Sequence, residues 1–331
     1  MRTVLIALMA FTMWSAIVER TMVTLPIPEY FPRATYNFSQ NPLNKETIEL
    51  GRMLFYESQL SKDNTISCAS CHSPYNAFAH VDHALSHGVE DQVGRRNAPA
   101  LFNLAWQKTF MWDGAVHHLD VQALAPITHP KEMGLSMNAL VDKLNAHPHY
   151  PSAFEKAFGE KEITGEHILK ALSQFQLTLV STNSKYDQVQ RGDAFFTEQE
   201  LNGQRLFDEN CNRCHTAPLF SNQEFERNQL PLDPYLQDLG RQEITRLSAD
   251  SMRFKVPSLR NLDYTFPYMH DGRFKKLSEV IVFYTKSSLL SKKEWTENEK
   301  RDLLAFLITL NDPSFVFDKS HHYQKNSSYE N

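Results

Sequence analysis

The sequence predicts a mainly α-helical chain of two similar domains joined by long loops. Three observations carry that prediction. A five-residue motif occurs twice, as Cys68-Ala69-Ser70-Cys71-His72 and as Cys211-Asn212-Arg213-Cys214-His215. Related segments precede the two copies, Leu50-Gly51-Arg52-Met53-Leu54-Phe55-Tyr56-Glu57 and Asn202-Gly203-Gln204-Arg205-Leu206-Phe207-Asp208-Glu209. A shared frame, Phe-x-x-Thr-Leu, then closes each half, at Phe175 to Leu179 and at Phe306 to Leu310. Self-similarity of this kind marks a duplicated structural unit. The apolar residues recur at helical spacing, while strand-like alternation is scarce.

The elements follow in chain order. Met1-Arg2-Thr3 precedes an apolar run from Val4 to Val18, which Glu19 and Arg20 end. That run is short for a membrane span and fits the apolar region of a secretory signal. It lacks a small-x-small cleavage site, so residues 1–20 are read as a signal sequence or an N-terminal membrane anchor. Residues 30–192 form the first domain, with a helix around Gly51, the first motif, a long loop from Ser73 to Trp106 and a closing helix from Ile168 to Leu179. The boundary falls at Arg191-Gly192-Asp193, and residues 193–315 form the second domain. Thr197 with Glu200, and Thr296 with Glu299, are capping boxes that start its first and last helices. Between them runs a second long loop, Phe220 to Tyr268. Loops this long are often functional. Gly51 and Gly203 would let the first and last helices of each half cross closely, and residues 316–331 read as a polar tail.

The duplicated motif is the pattern of covalent c-type haem attachment. Two thiols three residues apart suit thioether bonds to one haem, and the adjacent histidine falls under the iron as its proximal ligand. Cys68, Cys71 and His72 would hold one haem, and Cys211, Cys214 and His215 the other. All four cysteines lie in these motifs. A four-cysteine zinc site would leave the two histidines unexplained, and a redox dithiol would call for a βαβ setting that is not evident. Each half is therefore read as a cytochrome c-type haem domain. Haem attachment agrees with export, which places the chain in the periplasm. With 331 residues, 41% hydrophobic and 22% charged, the composition is that of an ordinary globular protein. A net charge of −5 argues against a nucleic-acid partner and suits a basic protein partner.

Further motifs lie between and after the haem sites. They are Arg95-Arg96-Asn97-Ala98-Pro99-Ala100-Leu101-Phe102-Asn103, Phe110-Met111-Trp112-Asp113-Gly114, Gln122, Pro126 and Glu132-Met133-Gly134. Later come Phe254-Lys255-Val256-Pro257-Ser258-Leu259-Arg260-Asn261 and Pro267-Tyr268-Met269-His270-Asp271-Gly272. In order and spacing this set resembles the bacterial dihaem cytochrome c peroxidases and their MauG-type relatives, from about residue 40 to residue 315.

The resemblance implies a catalytic set and a gate. Glu132 matches the acid–base glutamate, which would move a proton between the two peroxide oxygens. Gln122 matches the amide that orients peroxide, Pro126 the residue that shapes the pocket, and Trp112 the tryptophan between the haems. Without the resemblance, Glu132 would read as a solvated loop charge and Trp112 as a core residue. Asn97, Thr265 and Pro267 match a calcium site between the haems, and oxygen donors suit that ion. His87, in Ser86-His87-Gly88, matches a loop histidine that covers the first iron at rest and swings away, with His80 and His83 as rivals. On the second iron the position held by methionine in the electron-accepting peroxidases carries Tyr284, as in the MauG branch, with Met269 as the alternative. Phenolate favours ferric iron, whereas thioether sulfur raises the potential.

The implied activity is reduction of hydrogen peroxide with electrons from a small cytochrome c or cupredoxin. Oxidation of residues on a partner protein, as in MauG, and electron transfer without peroxide chemistry are the alternatives, and a homodimer is left open.

Overall fold

The computed structural model describes residues 20–290 and 294–323. The signal or anchor expected over residues 1–20 therefore lies outside the described residues, apart from Arg20. In the first half, α1 (Lys45–Tyr56) is capped by Asn44, whose side chain accepts a hydrogen bond from the Thr47 amide at 2.9 Å. The short α2 (Cys68–Cys71) carries the first cysteine pair, and α3 (Leu124–Thr128), α4 (Met137–Ala146), α5 (Tyr150–Phe158) and α6 (Gly165–Leu177) follow. The first half closes with α7 (Lys185–Arg191), which stops at Gly192, and the second half opens after it. Then come α8 (Glu198–Asn210), α9 (Gln242–Thr245), α10 (Leu277–Lys286), α11 (Glu297–Ile308) and α12 (Pro313–Val316). The expected capping boxes start α8, from Thr197, and α11, from Thr296.

Both halves use the same crossing. A Cβ on Gly51 would lie 1.9 Å from the carbonyl oxygen of Ala171, and one on Gly203 would lie 1.9 Å from that of Asp302. Neither distance admits a methyl group, so the absence of a side chain is what allows α1 to touch α6 and α8 to touch α11. Around each crossing stand three phenylalanines. Phe55, Phe78 and Phe175 have ring centroids 5.1 to 6.3 Å apart, and Phe207, Phe220 and Phe306 have theirs 5.1 to 6.4 Å apart. All six are at most 1% exposed. Burial of one such ring contributes about 1.5–3 kcal/mol, so each triad is a principal stabiliser of its half.

Buried hydrophobic residues form two clusters, one per half. Polar contacts join them. Arg260 and Asp187, both fully buried, make a two-pronged ion pair at 2.7 and 2.8 Å. Tyr30 and Ser184 donate to the same carboxylate, and Arg260 Nε donates to the carbonyl of Pro218 at 2.9 Å. Arg96 bridges Asp113 and Asp238, which ties the two long loops together. A two-residue ladder pairs β1 (Phe225–Glu226) antiparallel to β2 (Phe254–Lys255). The chain after residue 315, expected as a polar tail, begins by packing back on the first half. Val316 is buried in the first cluster, and Tyr56 and Arg52 donate to the carbonyls of His321 and His322. His321 adds a ring contact to Phe78.

Candidate active site

The two cysteine–histidine motifs open onto one cavity of about 740 Å³, within the range of ligand sites. Cys71, His72, Cys211, Cys214 and His215 line it, with mostly apolar neighbours from both halves. Each histidine is locked in one tautomer. His72 Nδ1 lies 2.9 Å from the carbonyl of Phe78, and His215 Nδ1 lies 3.1 Å from that of Phe220. A ring that donates through Nδ1 leaves Nε2 as a bare lone pair, the arrangement an imidazole ligand needs. Burial pushes both rings down to about 4, so both are neutral at physiological pH. Phe78 and Phe220 have positive φ, 58° and 52°, and that turn aims their carbonyls back at the rings.

The cysteines are unpaired. Burial pushes the thiols of Cys68 and Cys211 up to about 12 and that of Cys71 to about 11. A reactive dithiol needs the opposite shift. Among the described residues, no three Cys, His, Asp or Glu side chains converge on a metal-binding point, so the pairs do not meet as a zinc site. Free thiols, histidines presenting Nε2 and an apolar cavity together fit covalently held haem.

Gln122, Pro126 and Glu132 line the same cavity, as does Trp112. Pro126 sits in α3, and its carbonyl accepts from the Met133 amide at 3.1 Å, which folds the Glu132 loop back under that helix. Burial raises the Glu132 carboxyl above the usual carboxylate range, offset in part by attraction from His129, whose Nδ1 is 3.7 Å away. Glu132 is near enough to Cys71 to raise that thiol, which puts the carboxyl beside the first haem motif. Gln122 directs its amide towards the Met111 sulfur at 3.6 Å. Trp112 Nε1 donates to the carbonyl of Asn97 at 2.8 Å, and the Trp112 carbonyl accepts from the Lys255 amide at 2.7 Å. Trp112 is thus held by both halves of the chain, its indole by the first and its backbone by the second.

Asn97, Thr265 and Pro267 also line the cavity. Asn97 Nδ2 donates to the carbonyl of Ala84 at 3.0 Å. Tyr284 and Met269 both reach the cavity, near Cys211 and Cys214 in the case of Tyr284. Burial pushes the Tyr284 phenol up to about 12.

His87 does not line the cavity, in contrast to the expectation of a ligand facing the first iron. Its Nδ1 binds Asp91 at 2.7 Å, and its ring lies 4.4 Å from that of His83. The loop around it is nonetheless bound to the site, because Val89 donates to the carbonyl of Glu132 at 2.8 Å.

Lys255 escaped the sequence reading. Its Nζ donates to Gln107 and to the carbonyl of Thr109 at 2.8 Å, without an acidic partner among the described residues. Burial pushes it down to about 7. A lysine in so short a strand carries no sequence signal that separates it from a surface charge.

The comparisons with known proteins agree with this geometry. The family model described as di-haem cytochrome c peroxidase matches residues 45–195. The methylamine utilization protein MauG of Methylorubrum extorquens is 37% identical over 299 residues, 84% of this chain and 82% of that protein. The cytochrome c551 peroxidase of Nitrosomonas europaea is 36% identical over 275 residues, 81% of each. Among solved structures, a MauG-like protein associated with microbial copper homeostasis superposes with a TM-score of 0.84 at 32% identity, covering 91% of this chain and 99% of that one. The chain belongs to the di-haem cytochrome c peroxidase family. It is a mainly helical two-haem oxidoreductase with peroxidase-type chemistry, acting with a redox partner or a protein substrate.

Proposed function

We propose that the protein reduces hydrogen peroxide to water in the periplasm, drawing electrons from a small redox protein such as a cytochrome c or a cupredoxin. The observation that carries this reading is the Glu132 carboxyl, raised by burial and facing the cavity beside the first haem motif with Gln122 and Pro126. Electron transfer alone calls for no such group. His72 and His215 would hold the haems on their inner faces, and Lys255 would neutralise a haem carboxylate. Once bound, the haems supply the redox-active iron and the electrons that cleave the peroxide bond.

The protein's own part is positioning and proton movement. The Gln122 amide orients peroxide, and Pro126 keeps the pocket narrow. Glu132 accepts the proton of the inner peroxide oxygen and returns it to the outer one, so that water leaves. A carboxylate whose pKa is raised takes up that proton more readily than an ordinary glutamate would. Trp112, held by both halves, is the route between the haem sites. Asn97 and the carbonyls of Thr265 and Pro267 would bind calcium there and fix that route.

Tyr284 supports a second reading, MauG-type oxidation of residues on a partner protein, because an oxygen ligand on the second iron would favour its oxidised state. Stoichiometric peroxide separates the two. Protein reduced by one electron should react promptly and the fully oxidised protein slowly if peroxide reduction is the function. Prompt optical change in the fully oxidised protein, followed by modification of a partner, would overturn it in favour of the MauG type.

A further inference from the structure

Asn228 lies in the long loop of the second half and lines the cavity at the same end as Tyr284 and Met269. Its amide is not free to turn. Asn228 Oδ1 accepts a hydrogen bond from the Leu230 amide at 3.2 Å, which leaves Nδ2 as the outward end. An amide nitrogen carries two hydrogens, so one group can serve two neighbours. One points to the Met269 sulfur at 3.7 Å, and the Tyr284 phenol lies close enough for the same amide to favour its ionised form.

Both partners are held to this frame. Gln229 clamps the loop to the end of the helix that carries Tyr284, because its Nε2 donates to Ser288 Oγ at 2.7 Å and its Oε1 accepts from the Ser288 amide at 3.3 Å. Met269 has φ of 75°, a region that bulky residues seldom adopt. Its carbonyl takes the Gly272 amide at 3.3 Å, so the thioether is presented from a fixed turn.

We propose that Asn228 is a positioning residue for the outer ligand of the second haem, its amide holding the Tyr284 phenol and the Met269 thioether in one frame and setting how strongly the ligand donates to iron. The inference rests on the reading that Tyr284, or Met269 in its place, faces that iron. A hydrogen bond given to a ligand atom withdraws electron density from it, and such outer partners tune metal sites. Removing the donor makes the ligand a stronger donor, which favours ferric iron and lowers the reduction potential.

The test is a spectroelectrochemical titration of the holoprotein carrying Asn228→Leu, with Asn228→Asp as a second variant that keeps the shape and the bond to Leu230. At a fixed solution potential the ratio of oxidised to reduced second haem should rise at least tenfold in Asn228→Leu, equivalent to 59 mV for one electron. It should rise further in Asn228→Asp, with the first haem unchanged and two haems per chain retained. Tyr284→Phe and Met269→Leu, followed by EPR of the oxidised second haem, separate the two ways of failing. If either of these alters the signal while both Asn228 variants leave signal and potential at wild-type values, the role of Asn228 is refuted and the ligand reading stands. If neither alters it, the ligand reading fails and the inference falls with it.

Discussion

Replacing Glu132 by Gln isolates proton transfer from everything else the residue does. The change preserves shape and removes only the ability to accept a proton. Its structural cost is small. The nearest basic side chain, His129, is 3.7 Å from the carboxylate, and the two side chains are 49% and 37% exposed. Ion pairs this open to solvent contribute about 0–1 kcal/mol, so the melting temperature should move little. The chemical cost is much larger. A positioned acid–base group contributes roughly 10²–10⁴ in rate, which at about 1.36 kcal/mol per decade is roughly 2.7–5.4 kcal/mol of barrier. The two magnitudes do not overlap, so one variant tells the roles apart. The assay is peroxide consumption with a reduced small cytochrome c, beside a thermal melt and a count of haems per chain. The pH profile adds a second reading. Because burial raises the carboxyl, Glu132 becomes protonated, and unable to accept a proton, at a pH above the usual glutamate range. The acid limb of the wild-type profile should therefore lie above that range and vanish in Glu132→Gln. Turnover within about threefold of wild type, with both haems present, would refute the reasoning.

The packing offers further tests. Arg260→Met strands the Asp187 carboxylate in a fully buried site, and breaking such a pair costs about 3–5 kcal/mol; denaturant titration should show that loss, and Asp187→Asn with Arg260→Met should recover part of it. Burial would raise the Asp187 carboxyl, but hydrogen bonds from Arg260 outweigh it and hold the group below the usual aspartate range. Its stabilisation is therefore fully present above that range and lost as the pH falls through the lower folded value, so the wild type and Arg260→Met should converge in stability in acid. Gly203→Ala should lower the melting temperature, although the same change gains about 1 kcal/mol at an unconstrained helix site. The added Cβ would meet the Asp302 carbonyl at 1.9 Å, and overpacking of this kind costs about 1–3 kcal/mol. A rise in melting temperature would show that the helices separate freely.

How far the sequence could be read depended on whether a residue's role shows in local pattern. Gly51 and Gly203 sit at equivalent places in two similar segments, so comparison of the halves exposes a shared demand for close approach, and the structure puts a backbone carbonyl opposite each. Four of the six triad phenylalanines were visible for the same reason. Phe78 and Phe220 were not, because they follow their histidines by six and five residues respectively and act through backbone carbonyls turned by positive φ. No side-chain alphabet records that. Glu132 was legible only through resemblance. Its raised carboxyl comes from burial under α3 and a loop far off in sequence, and a glutamate after Pro130-Lys131 looks by itself like a solvated charge. Lys255 and Asn228 stand out only through what they meet in the folded chain, Gln107 and Thr109 for the one and Met269 for the other.

His87 shows why the remainder is physically out of reach of a motif. For this histidine on a glycine-flanked loop, the resemblance implies a metal as one partner, and the loop itself offers a carboxylate as another. The structure turns its ring to Asp91 at 2.7 Å, with the His83 ring 4.4 Å away. The exchange needs rotation of one loop, and the rest of the loop is anchored by the bond from Val89 to the Glu132 carbonyl at 2.8 Å. The sequence names the residue that can move and the glycines that let it, but the choice rests on a small difference between two bound states. On the reading that His87 meets the first iron, that difference would depend on the iron's oxidation state, a property of the assembled site rather than of any stretch of chain. The same anchor would make the choice consequential on the proposed reading, because the His87 loop holds the backbone of Glu132, the residue proposed to handle the proton.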